Sequence, residues 1–422
     1  MKHLRIICGC FLVIFFTGSC IGCGNTSQPV ESPNSYVEVV NMESVPVIEY
    51  TVPQLLPNIF VNQKGYFSGS EKEATIKGKE LPSLFQVFDA NTEEVVYSGT
   101  IEGVSFNEEL NLYTGVAVFS GITKEGNYYL ECDKIGQSYT FAIKKDIFQQ
   151  HFSEVYEVML RECKEQTIDM KDVRMLLTAY EWYPTAFPDE DNNQIPDVLE
   201  VLEGWITVLE QSQPDKAHDL MLLALMAKFG YLYQDFDAQF ATECIQHASE
   251  IFSKLQEEMT KEPDYFYALT ELYRATGLHT YRNQIVAYAP FFQEENNYIE
   301  EPSYLYGAMT YMVTRQRVDI NLCNTFMDDI MDGGEEVSNQ YEDMIHPIEA
   351  KNNGEEELLT EVQKVCCCNY VLNNYQYTRI IEEFLDYLMG KNMEAICFYP
   401  GEETQSSYLL LLSQLIATLD KR

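Results

Sequence analysis

The chain has 422 residues, 46% of them hydrophobic, and carries 66 acidic against 28 basic side chains for a formal charge of −38. A surface this acidic repels nucleic acid and anionic lipid head groups, which excludes charge-driven binding to either, while a neutral polysaccharide is indifferent to it. The cysteines beyond the leader, Cys132, Cys163, Cys244, Cys323, Cys366, Cys367, Cys368 and Cys397, lack both a disulfide framework and metal-ligand spacing, so they read as buried thiols.

Residues 1–22 read as a secretion signal, with Lys2 and Arg5 ahead of an apolar run from Ile6 to Phe16 and a small-residue exit from Gly18 to Cys23. The run is too short for a spanning helix. Cleavage before Cys23, or alternatively before Cys20, would make the chain a bacterial lipoprotein, anchored by one lipidated cysteine to the outer face of a membrane. Cleavage elsewhere would leave a plain secreted protein. Residues 23–56 are rich in Ser, Pro, Asn, Glu and Val with little periodicity, the composition of a flexible tether.

From 57 to 144 apolar residues alternate with polar ones, and Gly, Asn and Asp cluster at turn spacing. Several short strands over such a length predict an all-β sandwich. From 147 to 422 the period becomes helical. Apolar stripes predict about twelve helices, over 147–164, 171–181, 197–211, 216–229, 236–258, 262–276, 278–288, 303–315, 318–331, 356–373, 376–390 and 404–420. Paired in sequence these suit a ring of six hairpins, and periodicity alone allows a solenoid equally well.

Particular motifs narrow that choice. Ile59-Phe-Val-Asn-Gln-Lys-Gly-Tyr66 resembles the opening of the immunoglobulin-like module that precedes the catalytic domain in many glycoside hydrolase family 9 cellulases. Asn193-Gln-Ile-Pro-Asp-Val-Leu-Glu200, Leu272-Tyr-Arg-Ala-Thr-Gly277 and Leu385-Asp-Tyr-Leu-Met-Gly-Lys-Asn392 resemble segments of that family's barrel. The resemblance implies an immunoglobulin-like sandwich followed by an all-α (α/α)6 barrel, with β-glucan as the substrate class.

It also implies two carboxylate roles, a base that activates water and an acid that protonates the leaving oxygen, held roughly 6.5–9.5 Å apart. The family's Asp-Ala-Gly-Asp motif is missing ahead of the Leu176 helix. Asp169 and Asp172 keep an Asp-x-x-Asp spacing there, but they read first as helix-capping or surface acids. The family's C-terminal Asn-Glu is missing too, and Glu402 and Glu403 precede Tyr408 where the family carries non-catalytic acids. The expectation is therefore a catalytically inactive relative that binds or presents glycan. An active inverting endoglucanase with relocated carboxylates and a protein–protein interaction module are the alternatives.

Two further sites are readable. Asp189, Asp191, Asn193, Ile195 (by its carbonyl), Asp197 and Glu200 occupy positions 1, 3, 5, 7, 9 and 12 of a calcium-loop pattern, with Gln194 in place of the usual glycine. A structural Ca2+ is expected there, against the plainer reading of a polar loop capping a helix. Tyr298, Tyr304 and Tyr306 lie in the densest aromatic stretch and are candidates for an exposed sugar-stacking surface.

Overall fold

The structure, a computed structural model, describes residues 56–422 apart from 109, 213–219, 256–261, 295, 343–353, 402–403 and 420–422. The leader, the tether up to residue 55, Cys20 and Cys23 lie outside the described residues.

The strands are β1 (Ile59–Phe60), β2 (Tyr66–Phe67), β3 (Glu73–Gly78), β4 (Leu84–Asp89), β5 (Val95–Asn107), β6 (Leu112–Val118), β7 (Gly126–Cys132), β8 (Gly136–Gln137) and β9 (Phe141–Lys144). One layer runs β1-β3-β6-β5 and the other β5-β4-β7-β9-β2, with β8 on β7 and only the β2–β9 pair parallel. Strand β5 belongs to both layers. Its first half pairs with β4, and from Ile101 onward it pairs with β6, with a register shift between Glu102 and Ser105. Gly103 sits inside that shift at φ +59°, a conformation that costs glycine little. The period-two pattern places its apolar set inward, so that Phe85, Val87, Ala117, Phe119, Tyr128, Leu130 and Phe141 fill one core.

The helices are α1 (Ile147–Glu165), α2 (Met170–Trp182), α3 (Asp197–Ser212), α4 (Leu220–Tyr233), α5 (Ala238–Phe252), α6 (Pro263–Thr276), α7 (His279–Ala287), α8 (Ala289–Glu294), α9 (Pro302–Val313), α10 (Ile320–Glu342), α11 (Glu355–Leu372), α12 (Thr378–Leu388) and α13 (Gln405–Thr418). Helices α4, α6, α9 and α13 are buried nearly all round, as helices enclosed by others must be. Helix α2 packs on α4, α4 on α6, α6 on α9, and α13 on both α11 and α2. A Tyr306–Gln363 hydrogen bond of 3.0 Å joins α9 to α11 and completes the inner ring. The amphipathic α1, α3, α5 and α12 pack outside it. The sequence allowed a solenoid or a barrel; the chain forms the barrel.

Helix α10 runs eleven residues past the predicted end at 331. Gly333-Gly334 looks like a breaker in sequence, yet it faces α11, where a Cβ on Gly334 would collide with Cys368 Sγ. The glycines permit close helix packing, and the Cys368 thiol donates to the Ile330 carbonyl at 3.1 Å.

The sandwich rests on the barrel. The Gln63 backbone N–H donates to the Met389 carbonyl at 2.9 Å, and the Phe67 ring lies 5.6 Å from that of Phe148 on α1. Gly390, at φ +113°, leaves room for the Gln63 side chain that any Cβ would displace.

Candidate functional site

Inner helices that alternate with outer ones all run the same way, so their N-termini gather at one mouth of the ring. Hydrogen bonds among first-turn residues mark it. Asp172 on α2 accepts from the Ser406 hydroxyl on α13 at 2.6 Å. Arg174 on α2 donates to Ser303 on α9 at 2.9 Å, and the Ser303 hydroxyl donates to Asp264 on α6. Glu355, which opens α11, accepts from Thr404 and from the Tyr408 phenol, each at 2.8 Å. About two turns further along α11, Gln363 donates to Ser407 at 2.9 Å.

Asp169 is the N-cap of α2, and its carboxylate accepts the Lys171 N–H at 2.8 Å. That is the capping role its position suggests. Asp172 is half-buried. Burial raises its carboxyl above the usual range, the Ser406 hydrogen bond opposes this, and the charge of Asp169 adds to it. Glu402 and Glu403 lie outside the described residues. The sequence gives no warning of Glu355, because three glutamates opening a helix read as charges that complement its positive end. Only the fold brings Glu355 against the start of α13.

Toward the opposite end of the ring lies a charge cluster that sequence patterns also hide. Lys228 on α4 and Arg274 on α6 each contact both Glu181 on α2 and Glu271 on α6. Thr310 adds a hydrogen bond to Glu271 at 2.9 Å, and the Arg274 guanidinium lies 4.4 Å from the centre of the Tyr231 ring. Burial alone would raise the Glu181 carboxyl, but Arg274 and Lys228 hold it below the usual range. Two anions and two cations cancel, which makes burial tolerable.

In the 189–200 loop, Asp189, Asp191 and Asp197 bring carboxylate oxygens within 4.8 Å of one another. Asn193 and Glu200 are placed differently from the calcium-loop pattern. The Asn193 side-chain oxygen accepts the Ile195 N–H, and its amide donates to Glu200 at 2.7 Å and to Asp191 at 3.1 Å. Gln194 adopts φ +77° at the position where glycine is usual. Three convergent carboxylates suit a hard divalent cation such as Ca2+.

The tyrosine expectation is corrected. Tyr298 is 4% exposed and Tyr306 2%, and Tyr304 is half-buried. Tyr298 and Tyr304 pack on Phe292, while Tyr306 lies near Trp182 and Arg174. Aromatic density cannot separate the inner face of a helical ring from its outside, and here it marks core.

Two family profiles match the chain. One described as "Cellulase N-terminal ig-like domain" covers residues 55–137, and one described as "Glycosyl hydrolase family 9" covers residues 188–408. No curated protein matches. Among solved structures, a metagenome-derived glycoside hydrolase family 9 endoglucanase superposes with a TM-score of 0.68 at 19% identity, over 81% of this chain and 85% of that one. A Bacteroides ovatus family 9 protein gives 0.63 at 13%, over 86% and 98%. AaCel9A, solved in complex with a cellobiose-like isofagomine, gives 0.63 at 17%, over 81% and 84%.

Proposed function

The chain belongs to glycosyl hydrolase family 9, with an N-terminal immunoglobulin-like domain, and from that premise we propose that it binds neutral β-glucan without hydrolysing it. The observation that carries this reading is the bonding of the first-turn acids. Asp169 caps its own helix, Asp172 is engaged by Ser406, and Glu355 holds both Thr404 and Tyr408. A water-activating base must face a protonated acid across the scissile bond, whereas each of these acids is oriented through one carboxylate oxygen by bonds within the ring. Retained binding without turnover would make the protein a glycan-presenting or scaffolding surface. We further propose lipid anchoring through Cys23, with Cys20 as the alternative, which would place the barrel outside a bacterial membrane. A structural Ca2+ on Asp189, Asp191 and Asp197 completes the reading.

Affinity electrophoresis through mixed-linkage glucan tests binding, and reducing-sugar release from the same polymer tests hydrolysis. Retardation without release is expected. One observation favours a second reading, an active endoglucanase: Asp172 is half-buried with its carboxyl raised, as a general acid requires. Release that disappears in Asp172→Asn would establish that reading and overturn the first.

A further inference from the structure

At the C-terminal ends of the inner helices lies a half-open cavity that no role above uses. It measures about 850 Å3 and lies between the ends of α2, α9, α11 and α13, with Trp182, Tyr183, Met312, Tyr370, Tyr375 and Ile416 among its walls. Its size falls within the range of roughly 300–1,000 Å3 usual for small-molecule sites. We propose that it is a second saccharide site, at the pole opposite the mouth, built for a short uncharged oligosaccharide.

Three features of the walls select that chemistry. In a chain of formal charge −38, no lining residue among the described residues is charged. An anionic or cationic ligand would therefore lose its hydration there without finding a countercharge. The aromatic wall is rigid: Trp182 and Tyr370 stack at 4.5 Å with planes 10° apart, and Tyr183 meets Tyr370 edge-on at 6.1 Å. Such a wall matches the apolar face of a pyranose ring.

The third feature is the convergence of four helix ends. Last-turn carbonyls lack partners within their helices and carry partial negative charge, so they accept from hydroxyl donors and disfavour carboxylates. At the rim, Asn373 and Tyr375 both take positive φ, and the Tyr375 phenol donates to the Asn373 side chain at 2.7 Å, which fixes that ring. The choice of a saccharide over other neutral hydroxylated molecules rests on the glycan reading above; the cavity's neutrality does not.

The chain contains two tryptophans, so Trp205→Phe leaves Trp182 as the sole tryptophan, read by excitation beyond the tyrosine band. Titration of that protein with cellotetraose is expected to give a saturable Trp182 signal. The signal should persist in an added Asp172→Asn, and its midpoint should rise roughly fivefold with Tyr370→Leu, which removes the ring stacked on Trp182. The Met312 methyl resonance of the wild type is the second readout, should Trp205→Phe fail to fold. No saturable change in either readout would overturn the site. So would indifference to Tyr370→Leu, or an equal response to tetragalacturonate. Retardation of the wild type in glucan gels with a silent Trp182 would overturn this site alone and leave the mouth reading standing. Loss of retardation in mouth variants with an intact Trp182 signal would do the reverse.

Discussion

The Asn62 side-chain amide donates to the Asp386 carboxylate at 2.8 Å, across 324 positions of sequence. It joins the segment after β1 to the end of α12, and both residues belong to motifs that mark the family in sequence. Lys391 lies 3.8 Å from the same carboxylate. Burial pushes Asp386 up to about 7, against the opposing effects of Lys391 and the Asn62 bond.

A carboxyl whose folded-state pKa exceeds its unfolded value costs stability as it ionises. The folded chain holds the extra proton between about 4 and 7, so this contribution falls as pH rises through that window and is flat above it. Asp386→Asn is expected to flatten the Tm-against-pH curve between pH 4 and 7 relative to the wild type. Parallel curves for the two proteins would contradict the assignment.

The motifs containing Asn62 and Asp386 were legible as family signatures, but their meeting was not. Sequence patterns report local period and turn chemistry, and a pairing over this distance leaves no period. The helices were legible because periodicity finds a helix, but the end of α10 was not, since an apolar stripe does not report what Gly333 and Gly334 face. Asp169 was readable as a cap because capping is local. Glu355 and the quartet around Glu181 were not, since each depends on which helices become neighbours.

That quartet should be sensitive to charge imbalance. Lys228→Met leaves two buried carboxylates facing Arg274 alone and is expected to cost about 3–5 kcal/mol of unfolding free energy. Adding Glu271→Gln should recover part of that loss, because the remaining pair is again neutral. A double-mutant cycle in urea measures the coupling, and strict additivity would mean that the four groups act independently.

Calcium should bind the 189–200 loop with Kd on the order of 10⁻⁴–10⁻³ M, the range of extracellular modules. At one hundred times Kd it would add about 2.7 kcal/mol to stability. Isothermal titration checks the affinity and a melting series checks the linkage. Asp189→Ala with Asp191→Ala should remove both effects, and a wild-type Tm indifferent to calcium would end the proposal.

Metabolic labelling with a palmitate analogue in a bacterial host should tag the wild type. Cys23→Ala should lose the label and Cys20→Ala should keep it. The opposite pattern would move the anchor to Cys20, and an unlabelled wild type would leave simple secretion.

The bond from Gln63 to Met389 has a mechanical meaning. A ring of hairpins assembled from a linear chain has one seam, where α1–α2 meets α12–α13, and no peptide bond crosses it. The sandwich is covalently continuous with α1, touches it through Phe67 and Phe148, and grips the end of α12 through Gln63. It therefore acts as a clasp over that seam. Pulled apart from its ends, the molecule would have to release the clasp before the first and last hairpins could separate, so the two domains should lose structure in one transition rather than two.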